Sequence, residues 1–305
     1  MEDILVSVVV PNYNHAPYLK ERLESVLAQT YTNYEVIILD DCSTDNSREV
    51  IESYRQNEHV SHIIYNEENV GRVFLQWQKG IGLAKGDLVW IAESDDKCEP
   101  QLLERLVAQF KQNPGLALAF CKSTLFTTSG KTWTQDTKGL EAGVYDGKAF
   151  ITTFMSRGCP MLNASACLFR KAAFEQIADT YTTFKAAGDR MFWTEISECG
   201  SVAVVGDRLN WYRKHDTNTT ALAMQKGISQ KENKRIMDYV LERGYIDRDT
   251  YAQIRRRYLK KNVFELLSDK SVQRDIYAYY RFSAWEQFGL KLEAWLNKLK
   301  FKKQR

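Results

Sequence analysis

Residues 4–41 read ILVSVVVPNYNHAPYLKERLESVLAQTYTNYEVIILDD, and this stretch decides the fold class. The nearly continuous apolar run 4–10 is typical of a strand that is covered on both faces. Apolar residues then recur at helical spacing from 19 to 27, and residues 34–39 predict a second strand that ends in Asp40-Asp41. A strand, a helix and a second strand in this order predict a β-α-β unit with parallel strands.

The same alternation continues along the chain. Further strands are predicted at residues 60–65 and 87–91, with a helix over 73–84 and another that opens at Pro100. Trp77 is interpreted as a residue of the 73–84 helix that packs on the sheet, with a stacking platform as the alternative. Strand-like runs at 116–120 and 202–205 lie in a region of mixed pattern. The chain is therefore predicted to be an α/β protein with a mostly parallel central sheet flanked by helices.

Composition limits the class of protein. With 305 residues, of which 44% are hydrophobic, the chain can bury a full core. The net charge of +3 gives no indication of nucleic-acid binding, since 42 basic residues face 39 acidic ones. The six cysteines form no CxxC pair, which predicts reduced thiols and a cytoplasmic location. No run approaches the roughly 18 to 20 apolar residues that a membrane-spanning helix needs.

Polar side chains follow three of the predicted strands. They are Pro11-Asn12-Tyr13-Asn14, the run Asp40 to Asp45, and Glu93-Ser94-Asp95-Asp96. Ligands of open parallel sheets bind beyond the carboxyl ends of the strands, so these loops are expected to line one crevice. Grouped carboxylates repel each other unless a cation lies among them, and oxygen ligands suit Mg²⁺ or Mn²⁺. A turn or a helix cap is the alternative for either acidic pair alone.

Other phosphate-binding and catalytic motifs do not occur in the sequence. There is no Gly-x-Gly-x-x-Gly after the first strand and no phosphate-binding loop of the Gly-x-x-x-x-Gly-Lys type. The chain also lacks a Gly-x-Ser-x-Gly elbow, an HExxH helix and a Cys/His zinc spacing. A phosphate group would therefore be held by a metal ion and side chains.

Several sequence blocks in this order resemble the family-2 glycosyltransferases, inverting enzymes of the GT-A fold. The resemblance covers roughly residues 4–220. It is carried by VVVPNYN at 8–14, LAQTY at 27–31, EVIILDDCSTD at 35–45, NVG at 69–71, AKGD at 84–87 and SDD at 94–96.

The resemblance implies a nucleotide-sugar donor, and it assigns donor contacts to Pro11, Tyr13, Asn14, Asp41, Arg72 and Asp95. The loop 11–14 would pack against the base and ribose, Asp41 would accept a hydrogen bond from the base, and Arg72 would contact the base or the phosphates. Asp95 would face the ribose and the metal ion. Asp96 would be the direct ligand of a divalent metal, Mn²⁺ or Mg²⁺, beside the diphosphate.

The resemblance also implies a catalytic carboxylate in the acceptor-binding half of the chain. Asp189, in Gly188-Asp189-Arg190, falls on the aspartate that acts as catalytic base in the family, whereas its residue type alone also suits a helix cap. His215 lies in a segment that closes the donor site in relatives and is a second candidate metal ligand, with an exposed loop histidine as the alternative. Arg213 and Lys214 are candidates to neutralise the leaving diphosphate.

Residues 1–220 are thus expected to form a GT-A catalytic domain, with a nucleotide-sugar-binding half at 1–115 and an acceptor-binding half at 116–220. The predicted function is metal-dependent, inverting transfer of a sugar from a nucleotide-sugar, with UDP as the expected nucleotide, to a glycan or lipid-linked saccharide, as in bacterial surface polysaccharide synthesis. The alternatives are a nucleotidyltransferase and an inactive nucleotide-sugar-binding protein.

Residues 221–305 are predicted to form a C-terminal helical region with a basic amphipathic end. Residues 290–305 place an apolar face beside positive charge, which predicts peripheral contact with the inner face of an anionic membrane. A docked helix with a solvated tail is the alternative. The face is formed by Leu292, Trp295, Leu296 and Leu299, and the charge comes from Lys291, Lys298, Lys300, Lys302, Lys303 and Arg305.

Overall fold

The computed structural model describes residues 3–215 and 219–302, without the side chains of residues 219–221 and 296–302. Its strands are β1 Val6–Asn12, β2 Tyr34–Asp40, β3 Val60–Tyr65, β4 Leu88–Ile91, β5 Lys97–Cys98, β6 Leu116–Thr127, β7 Thr132–Thr134, β8 Gly143–Tyr145, β9 Cys167–Arg170 and β10 Ser201–Lys214.

Twelve α-helices accompany these strands in the described part of the chain. They are α1 Ala16–Leu27, α2 Ser47–Glu52, α3 Val73–Leu83, α4 Leu102–Gln112, α5 Gly147–Phe150, α6 Lys171–Phe174, α7 Gly188–Glu198, α8 Thr219–Gln225, α9 Ile228–Glu242, α10 Arg248–Leu259, α11 Lys270–Tyr279 and α12 Ala284–Lys302. Short π-helical segments lie at Ile151–Met155 and Lys260–Glu265, and 3₁₀ turns at Ala164–Ala166 and Asp179–Thr183.

The strands form one sheet in the order β3-β2-β1-β4-β9-β6-β10-β5, with β7 added to β6 and β8 to β10. The first four strands in this order pair in parallel. β9 runs antiparallel to both β4 and β6, and β6 pairs in parallel with β10. The predicted α/β fold with a central sheet flanked by helices is confirmed.

This topology brings distant loops to one edge of the sheet. Because two antiparallel pairings separate β4 from β6, strands β1, β2, β4, β6 and β10 all run in the same direction. Their carboxyl ends therefore share an edge, where open sheets of this type bind ligands. The loops after β1, β2 and β4 emerge there, and so does His215 after β10.

Burial explains why the first strands read as continuous apolar runs. Every residue of β1 and β2 is buried, since the sheet carries helices on both faces. Helix α1 turns Leu19, Leu23 and Val26 toward the sheet, in agreement with their helical spacing. Trp77 on α3 is 2% exposed and packs against Phe192 and Trp193 of α7, so it is a buried helix residue. All six cysteines are free thiols.

The chain divides into two compact units, residues 1–184 with 188–216 and residues 185–187 with 217–305. In the second unit the Glu232 carboxylate accepts hydrogen bonds from the backbone N–H groups of residues 185, 186 and 187 at 2.7–2.9 Å. A separate apolar cluster, which includes Leu259, Ile276 and Leu290, forms its core. The predicted boundaries at residues 115 and 220 stay predictions.

Helix α12 occupies the region where the amphipathic end was predicted. Leu292 and Trp295 are exposed on it, as is Lys291. The remaining predicted side chains, Leu296, Leu299, Lys298, Lys300, Lys302, Lys303 and Arg305, lie outside the described ones. Among the described residues, no helix combines the length and the apolar character needed to cross a membrane.

Candidate active site

Asp96 lies at the end of the acidic loop after β4, and its carboxylate is 1% exposed. The Ser165 hydroxyl donates to Oδ2 at 2.6 Å, and the Asn163 side-chain amide donates to the same oxygen. The backbone N–H of Arg213 donates to Oδ1 at 2.9 Å. Burial and the nearby charge of Asp95 raise the pKa of Asp96. Protein donors thus occupy both oxygens of Asp96.

A buried guanidinium partly compensates this carboxylate. Arg22 on α1 is fully buried, and its Nη2 lies 3.9 Å from Asp96 Oδ2. Its Nε donates to the Glu93 carbonyl oxygen at 2.8 Å, so it also fixes the start of the acidic loop. Glu93 accepts from the indole of Trp77 at 2.9 Å, and burial together with the charges of Asp95 and Asp96 raises its pKa to about 8.

Asp95 has a different environment from its neighbour. Its side chain is 19% exposed, and its Oδ2 lies 2.9 Å from Nε2 of His215. Burial alone would raise the pKa of Asp95, but the hydrogen bond from His215 and the charges of His15 and His215 lower it below its ordinary value. Asp95 therefore presents an ionised carboxylate beside an imidazole at the edge of the sheet.

Aromatic rings surround this pair. The ring of Tyr18 lies 4.8 Å from that of His215, and the ring of His15 stacks at 6.2 Å. His15 Nδ1 is 2.8 Å from the hydroxyl oxygen of Ser94, and burial lowers the pKa of His15. The ring contacts with Tyr18 and His15 orient the His215 imidazole. Residues 216–218, which follow it, lie outside the described part of the chain.

Arg213 supports the acidic loop from within the protein. The Arg213 guanidinium lies between the rings of Tyr18 and Phe126, at 4.7 and 4.3 Å, and donates to the Asp95 carbonyl oxygen at 2.7 Å. It also pairs with Glu21, so it is a buried support of the acidic loop.

Lys214 is the more accessible of the two cations. Its Nζ lies 3.9 Å from the ring centre of Tyr212. Burial lowers its pKa, whereas the charges of Asp96 and Asp95 act in the opposite direction. Lys214 therefore lies within electrostatic range of the acidic pair without an ion-pair partner of its own in the described contacts.

The loops after β1 and β2 hold each other in place. Asn14, at φ 52°, accepts from the Thr44 N–H at 2.7 Å, and its own N–H donates to the Ser43 hydroxyl at 2.9 Å. Pro11 is buried within β1. Tyr13 projects from the same loop and is 45% exposed, which leaves its ring open to a planar ligand.

Asp41 organises the loop that leads into α3. Its carboxylate accepts from the side-chain amides of Asn66 and Gln76 at 2.7 and 2.9 Å, and from the backbone N–H groups of Val70 and Gly71 at 3.1 and 3.2 Å. This network positions Arg72, which is exposed at the start of the helix.

Asp189 lies in the first turn of α7, where its Oδ1 accepts from the Arg190 N–H at 2.7 Å. After burial, the charges that raise the pKa of the Tyr212 phenol come from Asp96, Asp95, Asp189 and Glu93. Asp189 and the acidic pair thus act on one side chain of β10. Whether Asp189 serves as the base stays a prediction.

Some residues of this constellation were not predicted from the sequence. Arg22 lies three residues after Leu19, on the buried face of α1. A charged residue on this otherwise apolar face was the sequence feature that could have indicated a buried ion pair. Asn163 and Ser165 lie in a small polar stretch that carries no motif. Within residues 3–215 and 219–302, no three His, Cys, Asp or Glu side chains are grouped to hold a metal ion.

Comparisons with known proteins agree with this fold. The chain is 33% identical over 142 residues to the putative teichuronic acid biosynthesis glycosyltransferase TuaG of Bacillus subtilis, a match of 47% of this chain and 56% of that protein. The chain therefore matches less than two thirds of the length of this relative.

Two solved structures share the architecture. S. aureus TarS 1–349 in complex with UDP-GlcNAc superposes with a TM-score of 0.66 at 20% identity, covering 92% of this chain and 77% of that one. The mannosyltransferase PcManGT from Pyrobaculum calidifontis, in complex with GDP-Man and Mn²⁺, gives a TM-score of 0.61 at 16% identity and covers 95% of this chain and 79% of that one. At these identities the likeness concerns the fold alone.

The sequence profile described as Glycosyl transferase family 2 matches residues 7–178, more than half of the chain. The matched span contains the loops after β1, β2 and β4. On this match, the chain belongs to glycosyltransferase family 2.

Proposed function

We propose that the protein is a metal-dependent, inverting glycosyltransferase that moves a sugar from a UDP-sugar to a hydroxyl of a glycan or lipid-linked saccharide. The observation that carries the proposal is the contact between Asp95 and His215, whose Oδ2 and Nε2 atoms lie 2.9 Å apart at the carboxyl edge of the sheet. A donor site needs a cation beside the diphosphate, and transfer needs a base near the acceptor hydroxyl.

Two side chains at this edge, Asp95 and His215, would hold a divalent ion together with the donor. Asp95 Oδ2 and His215 Nε2 are 2.9 Å apart. A divalent ion, when bound, would be held by this carboxylate oxygen and this imidazole nitrogen. One carboxylate oxygen and one imidazole nitrogen suit Mn²⁺ better than Mg²⁺. When bound, the ion would neutralise the charge of the leaving diphosphate.

This proposal exchanges the roles that the sequence pattern indicated for the acidic pair. Asp95 becomes the metal ligand together with His215, because its carboxylate reaches the crevice. Asp96 becomes a buried support, because it is 1% exposed and Ser165, Asn163 and Arg213 donate hydrogen bonds to its two oxygens. Lys214 supplies a fixed positive charge for the diphosphate.

The nucleotide is proposed to lie over the loop at residues 11–14. The exposed ring of Tyr13 offers a stacking surface for the base, and Pro11 and Asn14 shape the loop beneath it. Arg72 is proposed to contact the base or the phosphates, with Asp41 fixing the loop that presents it. The Asp41 oxygen Oδ2, which accepts one described hydrogen bond, remains able to accept a second from the base.

In the proposed reaction Asp189 accepts the proton of the acceptor hydroxyl while that oxygen attacks the anomeric carbon. The carbon–oxygen bond to the diphosphate breaks on the opposite side, which inverts the configuration. The acceptor is proposed to be a saccharide of surface polysaccharide synthesis, in line with the name of TuaG. Peripheral attachment to the cytoplasmic face of a membrane is part of this proposal.

Product analysis tests the reaction class. The purified chain is incubated with Mn²⁺ and a UDP-, GDP- or dTDP-sugar panel, and thermal shifts identify the bound donor. With that donor and a mixture of saccharide acceptors, we expect free UDP and a glycosylated product. Release of pyrophosphate would instead identify a nucleotidyltransferase. Metal-dependent UDP binding without turnover over the whole panel would identify an inactive binding protein.

A further inference from the structure

Helix α12 combines a fixed inner face with an apolar outer face. Its Leu290 is fully buried in the core of the second unit. Glu286 forms an ion pair with Arg255, and Glu293 lies 3.3 Å from Arg256 and also pairs with Lys260. The acidic side chains of the helix are therefore directed toward α10 and the π-helical segment that follows it, where basic side chains pair with them. The helix is docked, yet its opposite face has no protein cover in the described structure.

Four large apolar side chains occupy that uncovered face. Trp285 is 82% exposed and Trp295 is 56% exposed, with Phe288 and Leu292 between them also exposed. At 100° per residue the four positions lie within an arc of about 80°. The rings of Trp285 and Phe288 contact each other edge to face at 6.2 Å. We call this stripe of Trp285, Phe288, Leu292 and Trp295 the outer face.

Charge separates strongly along the sequence. Residues 217–305 contain 20 Lys and Arg against 10 Asp and Glu, whereas residues 1–216 contain 22 against 29. The C-terminal part thus carries a net charge of +10, and the rest carries −7. Lys291 is exposed and lies about 40° around the helix from Trp295. An apolar stripe with tryptophans at both ends and excess positive charge complements an anionic bilayer surface.

We propose that the outer face of α12 docks the protein on an anionic lipid bilayer. Trp285 and Trp295 insert at the level of the lipid headgroups, where indole rings are favoured, and Phe288 and Leu292 enter the acyl boundary. The basic side chains of this region attract acidic headgroups. The inference names the membrane-contacting residues for the proposed attachment and begins five residues earlier than the segment 290–305.

Vesicle co-sedimentation of the full chain tests the docking surface. Binding is measured on phosphatidylcholine vesicles with and without about one third phosphatidylglycerol, at low and at high salt. We expect strong binding to the anionic vesicles, weak binding to the neutral ones, and a decrease with salt. The double variant Trp285→Gln/Trp295→Gln should lower the vesicle partition coefficient at least about tenfold, because it removes the two interfacial anchors.

A matched control and a separate readout keep the outcome specific. Trp133→Gln, which changes a partly exposed tryptophan on β7, should leave vesicle binding unchanged. Donor binding, measured by UDP titration, should be the same in the double variant and the natural chain, so a failed donor site would not be mistaken for failed docking. Equal vesicle binding by the double variant would overturn the proposal. The proposal would also be overturned if neither protein bound vesicles and the natural chain were a dimer while the double variant was a monomer. That result would identify a second copy of the chain as the occupant of the outer face.

Discussion

His215 Nε2 lies 2.9 Å from Asp95 Oδ2, although 120 positions separate the two residues in the sequence. The contact joins the end of β10 to the loop after β4, at the edge of the sheet where ligands of open α/β folds bind. Each partner is partly exposed, with 14% of the His215 side chain and 19% of the Asp95 side chain accessible. A hydrogen bond of this kind can be exchanged for a shared cation when the imidazole is neutral.

The two aspartates of the acidic pair should respond differently to substitution. Asp95→Asn is expected to abolish Mn²⁺-dependent UDP binding with little change in thermal stability. Asp96→Asn places an amide against the buried donors of Ser165 and Asn163, which should cost about 1–3 kcal/mol of unfolding free energy. Urea unfolding and calorimetric UDP titration measure the two effects.

The control for this pair is Asp136→Asn, which removes a carboxylate from a half-exposed ion pair with Arg208. Its cost should stay within about 1 kcal/mol. If Asp96→Asn retained full stability and lost metal-dependent binding, the exchanged assignment of the two aspartates would be wrong.

Removal of divalent metal should stop the reaction. Treatment with EDTA is expected to abolish UDP release, and added Mn²⁺ should restore it more fully than equal Mg²⁺, since His215 contributes a nitrogen ligand. In His215→Ala the preference for Mn²⁺ over Mg²⁺ should become smaller. Undiminished turnover in EDTA would contradict the metal proposal.

Asp189→Asn should lower kcat by about 10²- to 10⁴-fold, because an amide cannot accept the acceptor proton. The affinity for the UDP-sugar should change little, since the proposed donor contacts lie elsewhere. Asp179→Asn is a suitable control, because Asp179 is an exposed carboxylate of the 3₁₀ turn before α7. Near-normal turnover in Asp189→Asn would remove the assignment.

The position of Asp189 should depend on the glycine before it. A methyl group at Gly188 would lie 2.5 Å from Cε2 of Phe74, which is buried on α3. Gly188→Ala is therefore expected to lower activity and the melting temperature by several degrees, in line with the about 1–3 kcal/mol cost of overpacking. Adding Phe74→Leu to Gly188→Ala should restore part of the activity and part of the melting temperature. No recovery in the double variant would show that the close approach of these two residues is not the cause.

Stability should vary with pH through Glu35. Its carboxylate accepts from the Ser7 hydroxyl at 2.7 Å and the Lys85 N–H at 2.8 Å. Burial alone would raise the pKa of Glu35, but these hydrogen bonds stabilise the ionised carboxylate more strongly. The pKa of Glu35 in the folded state is therefore lowered. Its contribution is therefore present above the unfolded-state pKa of about 4.3 and is lost as the pH falls through the lowered value. The difference in unfolding free energy between the natural chain and Glu35→Gln should be larger at pH 7 than at pH 3; a difference independent of pH would contradict this.

The sequence was informative where structure is periodic or where a loop follows a strand. The apolar runs of β1 and β2 and the helical spacing of α1 predicted the β-α-β unit, since each pattern depends only on local residues. The loops with Asn14, Asp41 and Asp95 were placed at one edge by topology alone.

The division of labour within the acidic pair could not be predicted in this way. Whether Asp95 or Asp96 faces the crevice depends on Ser165, Asn163 and Arg213, which approach from 67 to 117 positions away. No local pattern marks such partners. The buried charge of Arg22 was visible as an anomaly on an apolar helix face, but its target was not.

The support of Asp95 by Arg213 also has a consequence for the order of folding. The guanidinium and the carbonyl that it holds are 118 positions apart, so a ribosome that adds about 5–20 residues per second makes them roughly 6–24 s apart. During that interval β1, β2 and β4 exist without β10, and the acidic loop has neither its clamp nor its histidine. The growing chain therefore contains β1, β2 and β4 before Arg213 and His215 are synthesised.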